Sequence, residues 1–404
     1  LKKLFPIFFA FFLALSAEAR LSPLAPKPDW SSLDKFQQTI TKGDFLSALE
    51  KIYAPGGAWK GTISLTDDSA VIETAPGRPP YVLKFAADGV TARPLPISWR
   101  PRSALSATDP SKPLAGLKIA IDPGHLGGSW AKMEERWFQI GKTRPVTEGD
   151  MTLKVAKLLS ARLKALGAEV FLTRSKPGPV TSARPAQLRG AAVGSLQQKK
   201  EPVTKQAVTK ESERLFYRVS EIRRRARLVN EAIQPDLVLC LHFNAEDWGD
   251  ERKPRLVEEN HLHFLVTGAW SGDELSYEDQ RLDMLVKLLN RSHGEEISLA
   301  HTMAGVMAKA TGLPPYTYHG GSVIRVGDSP YVWGRNLLAN RLFHCPVVYF
   351  EPYVMNSRPA FARIQAGDYE GLKSLGGSER KSIYREYADA VTAGLVNYYS
   401  QRSP

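Results

Sequence analysis

The chain has 404 residues, 43% of them hydrophobic and 24% charged, with a formal net charge of +12. That composition excludes a disordered or fibrous polypeptide, and the length suits two or three domains. No zinc-finger or RNA-binding signature accompanies the positive charge, so nucleic acid is not expected as a partner and an anionic wall polymer or lipid surface is.

The first twenty residues, "LKKLFPIFFAFFLALSAEAR", place Lys2 and Lys3 before an apolar run from Leu4 to Leu15 and then Ala17-Glu18-Ala19. A basic start, a short apolar core and a small-residue cleavage site predict a signal peptide over residues 1–20. The expectation is a protein exported to the periplasm or cell envelope of a bacterium, with no stable membrane span once the signal is removed. "LSPLAPKPDW" then reads as a linker. Residues 31–93 read as a small α+β accessory domain: Leu33, Phe36 and Ile40, then Phe45, Leu49 and Ile52, fall at helical spacing, and short strands follow. A Pro/Ser-rich linker over 94–115 closes this part.

From Gly116 to Ser400 strands and helices alternate. "LKIAID", "AEVFLTR", "DLVLCLH", "HLHFLVTG" and "PVVYFE" read as strands. "EGDMTLKVAKLLSARLKALG", "ERLFYRVSEIRRRARLVNEAI", "EISLAHTMAGVMAKATG" and "IYREYADAVTAGLVNYYSQ" read as helices. The predicted fold class is therefore α/β, a largely parallel sheet sandwiched by helices, preceded by the small α+β domain. Two stretches read as insertions. Arg189 to Ser212 is Lys/Gln/Thr-rich and predicts a mobile surface loop. Ser271 to Glu296 holds a short amphipathic helix, read as a passive surface elaboration, with a cover for the site as the alternative. Cys240 and Cys345 lie in apolar runs and read as buried free thiols.

Ligands of open α/β sheets bind beyond the carboxyl ends of the strands. Three predicted strands end in a metal-capable or acidic group: His125 follows "LKIAID", His242 ends "DLVLCLH" and Glu351 ends "PVVYFE". Glu148 stands at the start of the helix after the first strand. Two histidines and a carboxylate hold Zn²⁺ while leaving a position for water, and a further carboxylate is then needed to move the proton. His125, Glu148 and His242 supply the first set and Glu351 the last. The loop between His125 and Glu148 also carries Glu134 and Glu135, which compete for the carboxylate ligand's place. His261 and His263 share one face of a predicted strand. The "RRRAR" run from Arg223 to Arg227 reads as a solvated helix face, and "WGRNLLANR" around Arg335 as a weak candidate for substrate contact.

The segment from Gly116 to Ser400 resembles the zinc-dependent N-acetylmuramoyl-L-alanine amidases of the amidase-3 family. "IAIDPGH", "TEGDMTLKVAKLL", "RARLVNEAIQPDLVLCLHFNA" and "CPVVYFEPYVMNS" carry the resemblance, jointly and in order. It implies one Zn²⁺ held by His125, Glu148 and His242, with Glu351 as the catalytic residue and Asn244 and Arg225 as substrate-binding candidates. It also implies peptidoglycan as partner, cut at the amide between N-acetylmuramic acid and L-alanine by a zinc-activated water, and leaves room for a protein activator. Two rivals stay open. A zinc peptidase acting within the stem peptide would differ in its products. A catalytically inactive wall-binding or activator protein has the retained His125, His242 and Glu351 against it.

Overall fold

The computed structural model describes residues 20–87, 95–106, 109–250 and 253–400. Apart from Arg20, the expected signal peptide lies outside the described residues. The first helical turns lead to α1 (Lys42–Ala48), whose Thr41 hydroxyl accepts from the Asp44 amide and caps it. An antiparallel sheet of β1 (Ile63–Leu65), β2 (Ser69–Ile72) and β3 (Tyr81–Lys84) completes this module.

The main unit begins with β4 (Lys118–Pro123), then a short hairpin of β5 (Trp137–Phe138) and β6 (Val146–Thr147). Next come α2 (Glu148–Ala165), β7 (Glu169–Leu172), α3 (Arg189–Gln198), α4 (Lys205–Arg214), α5 (Glu221–Arg227) and β8 (Leu237–Leu241). They are followed by β9 (Leu262–Thr267), α6 (Gly272–Leu275), α7 (Glu278–Asn290), α8 (His293–Thr311), β10 (Val323–Arg325) and β11 (Val332–Arg335). The chain closes with α9 (Leu338–Leu342), β12 (Val347–Pro352), α10 (Arg358–Ala366), the hairpin β13 (Lys373–Leu375) and β14 (Ser378–Arg380), and α11 (Ile383–Tyr399).

Seven strands form the central sheet in the order β10-β11-β9-β12-β8-β4-β7. The pairs β4–β7, β4–β8, β8–β12 and β9–β11 are parallel, so the sheet is largely parallel as expected. Two pairs are antiparallel, β10–β11 and β9–β12, and the second matters for the site because it sets His263 opposite Glu351. This brings the start of β9, not its end, to the edge where β4, β8 and β12 finish. Alternation along each strand fills both faces. Ile119, Ile121, Leu239, Leu241 and Phe350 meet α2, α8 and α11 on one side. Ala120, Val238, Cys240, Leu265 and Tyr349 meet Ala226, Val229 and Ala339 on the other. Cys240 and Cys345 are buried and unbridged.

Both insertions are ordered helical elements. The expected mobile loop at Arg189 to Ser212 is instead a hairpin of α3 and α4, packed through Ala192, Leu196 and Val208 against Leu215 and Val219. Its few apolar residues suffice because they meet one another across the hairpin. The helix predicted within Ser271 to Glu296 is α7, and it packs into the N-terminal module: Met284, Leu285, Leu288 and Leu289 share one core with Leu33, Phe36, Phe45, Leu49 and Leu83. Burial of that apolar face turns α7 away from the strand-end edge, where only Gln280 reaches the groove. Among the described residues no helix is long and apolar enough to cross a membrane.

Candidate active site

The loop after β4 carries His125 in the left-handed region, at φ 62°. A non-glycine residue there is strained by about 1–2 kcal/mol and must be held by its surroundings. It is: the Arg225 guanidinium donates to the His125 carbonyl at 3.0 Å, and the Leu126 amide donates to Glu134 at 2.8 Å. Arg225 is buried, and it also donates to the Pro123 carbonyl and pairs with Asp122 and Glu221. Arg174 donates to the carbonyls of Pro123 and Gly124 from below. Two buried guanidinium groups therefore set the shape of this loop. The "RRRAR" run is thus not wholly a solvated face.

Close approach explains two glycines. A Cβ on Gly124 would lie 2.3 Å from the His242 imidazole, and one on Gly149 would lie 2.2 Å from the Gly127 amide nitrogen. The first turn of α2 consequently seats directly on the His125 loop and delivers Glu148 beside both histidines.

His125 Nε2 lies 3.1 Å from Glu148 Oε2, and His242 Nδ1 lies 3.2 Å from Glu148 Oε1. One ligand atom from each residue falls within 4.8 Å of the others. Atoms bound tetrahedrally at zinc distances of about 2.0–2.2 Å lie roughly 3.4 Å apart, so the donor set fits such an ion. Glu134, weighed as a rival ligand, sits behind the cluster: its Oε1 is 2.9 Å from His125 Nδ1. A carboxylate on the far nitrogen of a ligand histidine orients the ring and raises its basicity. Burial works against charge on His125, yet Glu148 and Glu134 hold the imidazolium up to about 9. Burial likewise opposes the Glu148 carboxylate, and His125 and His242 together hold it well below the usual range. The cluster is built for a positive charge at its centre.

Glu351, at the end of β12, lines the groove with His125 and His242. Burial pushes its carboxyl above the usual range; His242 pulls it back and Glu148 adds to the rise. Tyr349, two residues earlier on the same face, stacks on the His242 ring at 5.0 Å. Asn244 lines the groove as well, its Oδ1 accepting from the Ala245 amide at 2.7 Å and its Nδ2 lying 3.5 Å from His261.

The groove wall holds residues whose roles the sequence left unassigned. His263, opposite Glu351, accepts or donates at 2.8 Å with the Tyr318 hydroxyl. Burial, with His261 and Arg335 nearby, lowers the His263 imidazole to about 3. His261 meets Glu246 at 3.1 Å. Neither belongs to a second metal cluster among the described residues.

Fold and site together define an α/β protein with a His-Glu-His cluster and a neighbouring buried carboxylate in one groove. The family model described as N-acetylmuramoyl-L-alanine amidase matches residues 119–371, more than half of the chain, and the protein belongs to that family. Membership makes it a peptidoglycan amidase in broad class. No curated protein matches the sequence. Solved structures that resemble it include the N-acetylmuramyl-L-alanine amidase Ami1 from Mycobacterium abscessus, 19% identical, covering 70% of this chain and 99% of that one at a TM-score of 0.38. Ami1 from Mycobacterium smegmatis is 16% identical, with coverages of 72% and 99% and a TM-score of 0.39. The CwlD amidase from Clostridioides difficile, solved with the GerS lipoprotein, is 13% identical, with coverages of 70% and 99% and a TM-score of 0.38.

Proposed function

We propose that the protein hydrolyses the amide between the lactyl group of N-acetylmuramic acid and L-alanine, using one zinc ion held by His125, Glu148 and His242. The observation that carries this reading is the placement of the buried Glu351 carboxyl in the same groove as the three-residue cluster, in a chain of this family. When bound, zinc would supply Lewis acidity toward a water and toward the scissile carbonyl oxygen. Glu351 takes the proton of the attacking water and returns it to the leaving nitrogen, a task suited to a carboxyl that burial raises above its usual range. Glu134 orients His125, and Glu148 accepts from the Phe243 amide at 3.1 Å, which keeps its carboxylate aimed between the histidines. Asn244 stands where it can hold substrate. Arg225, with its donors engaged by Asp122, Glu221 and two backbone carbonyls, acts by positioning the His125 loop.

This reading places the enzyme outside the cytoplasm, where its polymer lies, and a protein activator belongs to the same proposal. Digestion of purified peptidoglycan, with products identified by mass, tests it. Stem peptides beginning with L-alanine are expected; fragments cut within the stem would favour a zinc peptidase instead.

A further inference from the structure

The groove differs in charge on its two sides of the proposed metal ligands. One arm is lined by Glu135, Glu246 and Asp247, with the Trp248 indole at its wall. The other, about 560 Å³, carries seven arginines among its lining residues. Most of these arginines already face a carboxylate: Arg225 holds Asp122, Arg223 faces Asp279 at 3.5 Å and Arg341 faces Asp283 at 3.3 Å. Arg335 is half-buried and has no ion-pair partner among the described residues.

Register places it on the working face. Arg335 pairs with Thr267 on β9, and Glu351 pairs with His263 on the same strand. Residues 263 and 267 are an even number apart, so all four side chains leave the same side of the sheet. The Arg335 guanidinium reaches to 5.9 Å from the Tyr318 ring centroid, and the Tyr318 hydroxyl is 2.8 Å from His263. A half-buried guanidinium without a carboxylate, beside a phenol and two strands from Glu351 across β9, is a site for an anion.

We propose that Arg335, with the Tyr318 hydroxyl, binds the free α-carboxylate on the second residue of the stem peptide, so that the arginine arm takes the acidic peptide and the Trp248 arm takes the uncharged sugar chain. The inference rests on the amidase reading above. Two residues of extended peptide span about 7 Å from the scissile nitrogen, and Arg335 lines the same groove as Glu351 and the two histidines. The uncharged sugar has hydroxyls for the carboxylates of the opposite arm and an apolar ring face for the indole.

The test uses the full zinc-loaded chain and two muramyl peptides that differ only in the second residue, D-isoglutamate or its amide, D-isoglutamine. Wild type is expected to favour the carboxylate in kcat/KM by on the order of 10- to 100-fold, the range of a hydrogen bond to a charged group. Arg335→Gln should lower kcat/KM for the carboxylate substrate alone and bring the two level. An unfolding midpoint in urea equal to that of wild type is the control for folding, and Arg335→Lys should keep part of the preference. Equal turnover of both substrates by wild type, or an equal loss on both in Arg335→Gln, would overturn the inference and leave the amidase reading intact. Failure of wild type to release an L-alanine-terminated peptide from either substrate would remove the amidase reading, and this inference with it.

Discussion

His125 Nδ1 lies 2.9 Å from Glu134 Oε1, on the side of the ring away from Glu148 and His242. Glu134 therefore governs which nitrogen of His125 faces the cluster. Glu134→Ala is expected to keep the fold and to weaken zinc binding by about 10- to 100-fold. A competition titration with a chromophoric chelator reads this directly, and an unchanged affinity would show that the loop alone orients His125.

His263 should make the protein acid-sensitive in a defined window. Burial, helped by His261 and Arg335, lowers it from 6.5 to about 3. The unfolded chain thus takes up this proton first as pH falls. The associated stability is complete above pH 6.5 and declines toward pH 3. Chelator-treated His263→Gln should have a shallower loss of stability than wild type across that window in urea titrations. Identical slopes would mean that His263 carries no such linkage.

Lys287 and Glu296 form a fully buried pair at 2.7 Å, with Lys287 also donating to the carbonyls of Phe343 and Cys345. Removing one partner strands a buried charge. Lys287→Met is expected to cost about 3–5 kcal/mol. Lys287→Met with Glu296→Gln should recover part of it, since the amide carries no charge and its one oxygen still accepts from either Thr267 or Val347, which donate to different oxygens of Glu296. Chemical denaturation checks both, and a double variant no better than the single would place the cost in packing.

Leu285 on α7 is buried among N-terminal residues. Leu285→Ala should cost about 2–5 kcal/mol and leave the hydrolysis rate of the folded enzyme unchanged. A rise in rate would restore the idea that this helix covers the groove.

The strand-end rule places His125, His242 and Glu351 at one edge from the sequence, and the start of α2 places Glu148 beside them. It failed for β9. An alternating pattern implies parallel neighbours, but β9 follows β8 without an intervening helix and lies antiparallel to β12. Antiparallel neighbours need no helical crossover, and that helix-free connection was the available signal. His263, Tyr318 and Arg335 reach the groove through this reversal, which periodicity within single strands does not encode. The α3–α4 hairpin was missed for a different reason: its apolar residues are sparse and pay off only across the hairpin. Glu134 was visible but was weighed as a ligand, because spacing does not distinguish the group that binds a metal from the one that orients its neighbour.

The most direct test compares Glu351→Gln with wild type for two quantities, zinc bound per chain and L-alanine-terminated peptides released from peptidoglycan. The account predicts one zinc per chain in both proteins, with release by the variant lower by on the order of 10²- to 10⁴-fold, the usual weight of general acid–base catalysis. Zinc bound normally with release at the wild-type rate would contradict the role of Glu351 and the mechanism built on it.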